Sequence, residues 1–393
     1  MKATRIIFIR GAVETLEFFS LQMAEALQAQ GFKTWFWDMK APLSSREHFL
    51  ELNDYEHTVL VTFNFIGLSG ESQFHSENTS LWEEHGVPVF CIMVDHPMYY
   101  YKRLRTGIKN LTLICIDRDH QSFVSQYYPE YGKVHFLPLA GTMLPGAPLP
   151  MKDRNIDVIF AGNYVPPDRL TPHIQHMDEE SRDFYFDIIE ELIRHPDRPM
   201  EQELIARLTG EFPQITREET LSCLHSMIFI DLYVRSWFRR EIICSLAEAG
   251  IPVTVIGKDW EKAGCKRQEN LILTGQKDSL ACLKAMGQAK ISVNVMPWFK
   301  NGAHDRIFNG MLQGCTVVTD SSAYLDEIIC SKTDYIAFHL DRYQEISRKV
   351  SYLLEHPGET ECIAAAGYKK AAQSHTWANR ALTLLDIISR DSQ

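Results

Sequence analysis

KISVNVMPWFKNGAHDRIFNGMLQGCTVVTD, residues 290–320, decides the fold. Residues 291–295 read as a buried strand, and 297–303 as an irregular loop with one glycine. Residues 305–312 form a short helix stopped by Gly314, and 316–319 a second buried strand. A strand–loop–helix–strand unit puts the loop and the helix start at the carboxyl edge of a parallel sheet, where ligands bind in open α/β sheets. The run from His304 to Asn309 gathers His304, Asp305, Arg306 and Asn309. Arg306, in the first turn, adds a full charge to the positive end of the helix dipole, which suits a phosphate. Any βαβ unit needs a polar loop. Few such loops combine Gly, Trp, His and Arg with a helix start.

The rest of the chain repeats this alternation. Before residue 140, apolar strand segments fall at 5–10, 33–38, 57–65, 87–94, 111–116 and 133–139. An amphipathic helix over 15–30 ends at Gly31. Continuous apolar runs separated by helices predict a parallel sheet covered on both faces. Residues 141–153 carry Pro145, Pro148 and Pro150 and read as a linker. A second series has strands at 156–161, 253–256, 271–273, 291–295 and 316–319, with helices at 239–249 and 279–289. Residues 166–220 are charged and helical. Their best helix is 182–195, with Phe186, Ile189 and Ile193 on one stripe. This region is a helical insertion, about 166–230. Two or three helices follow Tyr343. The fold class is therefore α/β: two parallel-sheet domains, 1–145 and 146–372, facing a central cleft.

Composition narrows the function. A chain of 393 residues suits two domains, and 45% hydrophobic with 23% charged residues is ordinary for a globular protein. A net charge of -11 argues against nonspecific binding to nucleic acid or an anionic membrane, although Arg306, Lys300, Arg239 and Arg240 are candidates for a local basic patch. Nine cysteines, with no CxxC pair, predict reduced and buried thiols in a cytoplasmic protein, with neither disulfide framework nor zinc site. The apolar run near the start is too short for a signal segment, and no run reaches the roughly 20 apolar residues of a membrane span. A soluble protein is expected.

No GxGxxG follows the first strand, which disfavours a nicotinamide dehydrogenase, and no P-loop, HExxH or GxSxG is present. Asp117-Arg118-Asp119 matches a DxD metal pattern, but Asp117 equally suits a helix cap. Val94-Asp95-His96-Pro97 ends a strand at the carboxyl edge of the first domain. Asp95 or His96 could there serve as a base toward a hydroxyl, or simply form a turn before Pro97. Tyr99, Tyr100 and Tyr101 follow; stacking on sugar rings competes with plain packing. Lys258, in Ile256-Gly257-Lys258-Asp259-Trp260, is placed to meet a phosphate or to sit in a solvated turn. Asn163 lies at the matching edge of its own strand. Asp320-Ser321-Ser322 either cradles phosphate or caps the helix over 323–329, which carries Glu327.

With these residues in place, the second half resembles glycosyltransferases of the GT-B fold, most closely the CgeB-like bacterial group. The resemblance rests on Phe160-Ala161-Gly162-Asn163, on residues 249–253 with Gly257-Lys258-Asp259-Trp260, on Val293-Asn294-Val295-Met296-Pro297, and on residues 304–314. Residues 135–140 resemble the last strand before the interdomain linker. It implies two Rossmann-like domains, with a nucleotide-sugar on the second and the acceptor facing the first. It implies no required metal or cofactor, because positive groups and a helix start neutralise the leaving diphosphate. A UDP-sugar is the expected donor, and the acceptor is a saccharide, a protein or a small molecule. On this reading Asn163, Gly257, Lys258, Asn294, Met296, Pro297, Gly302, His304, Asp305, Arg306, Asn309, Asp320 and Glu327 line the donor. Arg306, Asp95 and His96 are the catalytic candidates. Retaining relatives often carry two glutamates around the motif; this chain has Asn301 near the first position and Asn309 at the second. The family also implies a final helix, 373–393, that crosses back to the first domain. Two rivals remain: a metal-dependent, GT-A-like transferase using Asp117 and Asp119, and a non-catalytic nucleotide-sugar-binding protein on a degenerate GT-B scaffold.

Overall fold

The computed structural model describes residues 3–75, 79–105 and 107–391. The chain divides into two compact units. One holds the residues up to Ala140 together with those from His375 onward; the other is Gly141–Ser374. Each unit is built on a six-stranded sheet in which every pairing between neighbouring strands is parallel.

The first sheet contains β1 (Arg5–Arg10), β2 (Lys33–Asp38), β3 (Thr58–Phe63), β4 (Val89–Met93), β5 (Leu111–Cys115) and β6 (His135–Phe136), in the order β2-β1-β3-β4-β5-β6. The second contains β7 (Ile156–Ala161), β8 (Val253–Ile256), β9 (Leu271–Leu273), β10 (Ala289–Asn294), β11 (Thr316–Asp320) and β12 (Ile336–Phe338), in the order β12-β11-β10-β7-β8-β9. Helices of six residues or more are numbered along the chain. They are α1 (Glu14–Ala29), α2 (Pro42–Glu51), α3 (Arg118–Tyr127), α4 (Glu179–Arg194), α5 (Met200–Glu211), α6 (Arg217–Ser226) and α7 (Ile228–Glu248). After these come α8 (Ser279–Met286), α9 (Asp305–Leu312), α10 (Ala323–Ile328), α11 (Glu345–Glu355), α12 (Pro357–Ser374) and α13 (Trp377–Asp391).

In the first unit, β3 and β4 are buried along their whole length, as sandwiched parallel strands must be. Helix α1 buries Leu16, Phe19, Met23 and Leu27, the spacing of one helical stripe. Helix α13 lies on α1, with the Phe19 and Trp377 rings 5.2 Å apart. Arg380 donates to the Pro138 carbonyl at 2.7 Å, and His135 sits 2.6 Å from Asp391.

In the second unit, Ile159, Ile256, Met286, Ala289 and Cys315 close a core under the sheet. Several expectations shift. The sixth strand, β12, was not visible as a pattern, and β6 shrinks to two residues. The apolar stripe of α4 is Ile188, Ile189 and Leu192, while Phe186 is exposed; the face is turned by about one residue. Helix α7 begins at Ile228, eleven residues before the expected start at 239. The cysteines are not all free. Cys244 on α7 and Cys265 form a disulfide, because the fold brings their Cα atoms to 5.1 Å despite a separation of 21 residues. Cys330 and Cys362 are exposed rather than buried. Residues 141–153 do not run as a loose tether: Thr142 is buried and bonded at both its amide and its carbonyl to α9 and the residue that follows it. Among the described residues no helix is long and apolar enough to cross a membrane.

Candidate functional site

Strand order reverses between β7 and β10, which lie side by side with β8 beyond one and β11 beyond the other. Ligands of doubly wound sheets bind at the carboxyl ends of such a pair. Helix α9 starts there. His304 is its N-cap, with Nδ1 accepting the Arg306 amide at 3.3 Å. Arg306 reaches across the crevice and donates through Nη1 to the carbonyl of Ala161, the last residue of β7. Its Nε lies 3.2 Å from His304 Nδ1 and its Nη2 2.9 Å from His304 Nε2. Asp305 Oδ1 is 2.7 Å from His304 Nδ1.

The electrostatics follow from burial. Desolvation, helped by the Arg306 charge, pushes the His304 ring down to about 4, so it is neutral at pH 7 and can accept from the guanidinium. Burial also lowers Arg306 to about 10, against the pull of Asp305, leaving it cationic. Burial raises Asp305, but the His304 ring and Arg306 outweigh it and hold the carboxylate below its ordinary range.

Two more guanidiniums come from α7. Arg239 donates to the Asn163 carbonyl at 3.1 Å. Burial, then the Arg306 and Arg235 charges, pushes Arg239 well below its ordinary range. Arg235 pairs with Asp231 at 2.7 Å and lies over the Trp298 ring, 3.7 Å from its centroid. Arg235, Arg239 and Arg306 thus form one cationic cluster.

Backbone packing keeps the crevice tight. Gly162 donates to the Ile256 carbonyl at 2.8 Å, and Lys258 donates its amide to Asn163 Oδ1 at 3.0 Å. A Cβ on Gly257, whose φ is +154°, would sit 2.2 Å from the Gly162 oxygen. A Cβ on Gly162 would meet Arg306 Nη1 at 2.9 Å. Glycine at both positions lets the β7 and β8 loops touch while Arg306 lies over them.

Residues 235–386 match a family described as glycosyl transferase-like. No curated protein matches the chain. Among solved structures, a glycosyltransferase from Rickettsia africae ESF-5 aligns over 100% of this chain and 99% of its own, at 9% identity and a TM-score of 0.57. Anabaena HepE, solved in complex with UDP-glucose, aligns over 98% and 99% at 11% identity and a TM-score of 0.55. Sucrose-phosphate synthase from Thermosynechococcus elongatus aligns over 98% of each chain at 11% identity and a TM-score of 0.54. The fold is GT-B.

Within this GT-B chain, the second unit collects most of the expected donor residues at one sheet edge. Asn163, Gly257 and Lys258 come from the β7 and β8 ends; Lys258 and Asn163 are exposed. Asn294, Met296 and Pro297 come from β10 and its loop, all buried. Asn294 Nδ2 donates to Thr319 Oγ1 at 2.9 Å. Asp320 ends β11, accepts the Met296 amide at 2.9 Å, and is raised to about 6 by burial. Gly302 is buried and its carbonyl accepts from Ser322 at 2.6 Å, which fixes the loop to the start of α10. Glu327 is exposed on α10.

Asn309 is occupied elsewhere. Its Oδ1 accepts the Thr142 amide at 2.8 Å and its Nδ2 donates to Asp305 Oδ2 at 3.0 Å. In the first unit, Asp95 is half-buried and accepts from Asn64 Nδ2 and the Tyr100 hydroxyl, both at 3.1 Å. His96 is 4% exposed and packs edge-on against His120 and Phe123, at 4.6 and 4.9 Å. Asp117 is fully buried and caps α3 through the Asp119 amide at 2.7 Å. Three side chains able to share a metal ion, Asp54, Glu56 and His57, meet just ahead of β3, at the opposite end of that strand from the carboxyl edge.

Sequence reasoning missed Arg235 and Trp298. Arg235 fell outside the expected helix, so its i,i+4 relation to Arg239 went unseen. The pair RSWFR, residues 235–239, was the available signal.

Proposed function

We propose that this protein is a glycosyltransferase that moves a sugar from a UDP-sugar to a hydroxyl acceptor without a bound metal. The observation that carries the reading is the cluster of Arg235, Arg239 and Arg306 at the start of α9, in the crevice between β7 and β10. Fixed guanidiniums and a helix N-terminus offer a diphosphate the charge that a metal supplies elsewhere. The bond between the anomeric carbon and the β-phosphate oxygen breaks, the UDP leaves onto this cluster, and the acceptor oxygen bonds to the anomeric carbon.

Roles follow for the other residues. His304 and Asp305 fix the Arg306 guanidinium, and Lys258 reaches toward the diphosphate from the β8 edge. Glu327, in place of Asn309, contacts the donor ribose. Asp95 takes the acceptor proton; His96 supports its turn. Anabaena HepE, crystallised with UDP-glucose, supports uridine as the base on grounds of fold alone.

A thermal-shift screen against UDP-, GDP-, dTDP- and CMP-sugars tests this. A UDP-sugar at 100 times its dissociation constant adds about 2.7 kcal/mol of stability. Turnover unchanged by EDTA supports the metal-free reading. No shift with any nucleotide contradicts the whole proposal. A second reading, a binder without transfer activity, draws on Asn309, whose two polar atoms are both taken by the protein. Hydrolysis of a bound UDP-sugar by the purified protein removes it.

A further inference from the structure

Two guanidiniums share one indole. Arg235 and Arg239 lie one turn apart on α7, and their Cζ atoms stand 3.7 and 5.3 Å from the centroid of Trp298. Trp298 follows Pro297 in the loop between β10 and α9, and is half-buried. Asp231, one turn before Arg235, is 3% exposed and ion-paired with it.

This arrangement answers a physical problem. Like charges at i,i+4 repel, and here Arg306 brings a third charge from α9. Arg235, Arg239 and Arg306 are each half-buried, so water screens them only in part. The carboxylates that act on the cluster are Asp231, Asp305 and Asp320. An aromatic face carries negative potential, strongest for tryptophan, and holds a desolvated cation without adding a formal charge. A guanidinium lying over a ring keeps its N–H groups in its own plane, available at the edges. One N–H group of Arg235 is spent on Asp231 and one of Arg239 on the Asn163 carbonyl.

We propose that Trp298 is a positioning residue of the anion site: its ring seats the Arg235 and Arg239 guanidiniums together beside Arg306, so that the three charges act on one diphosphate. The role rests on the donor-site reading above, and it acts through the arginines rather than on the reacting atoms.

Calorimetric titration of the full chain with UDP and with uridine tests it, using wild type, Trp298→Leu, Trp298→Phe, Arg235→Ala and the Arg235→Ala/Trp298→Leu double variant. Trp298→Leu should weaken UDP about tenfold while uridine is unchanged, and Trp298→Phe should stay within about threefold of wild type. In the Arg235→Ala background the further loss from Trp298→Leu should fall below about threefold, because the two act as a unit. Wild-type-like UDP binding by Trp298→Leu overturns the inference and leaves the donor site standing. Equal losses of UDP and uridine, with both Trp298 variants melting early, reduce Trp298 to a packing residue. Absence of UDP binding by wild type overturns the donor reading and this inference together.

Discussion

Asn309 holds Thr142: the side-chain oxygen of one accepts the backbone N–H of the other at 2.8 Å, across 167 residues of sequence. Gln313, one turn later, donates to the Thr142 carbonyl at 2.8 Å. The two contacts stitch the segment after residue 140 onto α9, the helix that carries Arg306. Both polar atoms of Asn309 are engaged within the protein, the second by Asp305.

Asn309→Ala should therefore act on stability rather than on ligand. It leaves the buried Thr142 amide without its acceptor, which costs roughly 1–3 kcal/mol in urea denaturation. UDP affinity should change less than about threefold. A larger loss of UDP affinity, with stability intact, would return Asn309 to the ribose.

Arg306→Ala should raise the barrier to sugar transfer by about 3 kcal/mol, the scale of a lost oxyanion donor, seen in kcat with saturating donor. Arg306→Lys should restore little. One ammonium cannot bond the Ala161 carbonyl, face both His304 nitrogens and still present an edge to phosphate. Full rescue by lysine would show that charge alone suffices.

Arg239→Met should separate stability from binding. Arg239 is the guanidinium that burial and two like charges disfavour most plainly. Its replacement should leave the free protein as stable or more stable, while weakening UDP at least about tenfold. A variant that melts early and still binds UDP normally would contradict this.

Much of this was legible beforehand. Strands β1, β2, β7, β8 and β9 and helix α9 run as the apolar pattern predicts. Gly314 ends α9 as the sequence displays directly, whereas the His304 cap is a residue type that gives no start signal. What failed has local causes. Strand β12 has three residues at a sheet edge, too few to show a period. Helix α7 starts without any side-chain cap, so no start signal marks Ile228 and Arg235 was lost with its first turns. The Asn309–Thr142 and Cys244–Cys265 contacts are products of tertiary folding and leave no spacing to read.

The disulfide makes a separate prediction. Protein denatured without reductant should show seven titratable thiols, not nine. Replacing Cys244 and Cys265 with serine should cost about 3 kcal/mol, from the loop they close. Nine free thiols in protein isolated under non-reducing conditions would contradict the pairing.

Asp320 gives the pH dependence. Burial raises its carboxyl from an ordinary 3.8 to about 6. The folded state thus favours the protonated form, so this group adds stability below the unfolded value and loses it as pH rises through 6. Relative to Asp320→Asn, wild type should gain up to roughly 3 kcal/mol as pH falls from 7 to 4. His304, lowered to about 4, works in the opposite sense but is common to both proteins and cancels. A pH-independent difference would show that Asp320 titrates normally.

The central claim is that the Arg235, Arg239 and Arg306 cluster holds a donor diphosphate. Calorimetric titration of UDP, UMP and uridine into wild type and Arg306→Ala tests it most directly. The account predicts affinity in the order UDP, UMP, uridine for wild type, weakening of UDP with added salt, and collapse of the UDP preference in Arg306→Ala. Equal affinity for UDP and uridine in wild type, or a UDP preference that survives Arg306→Ala intact, would contradict it.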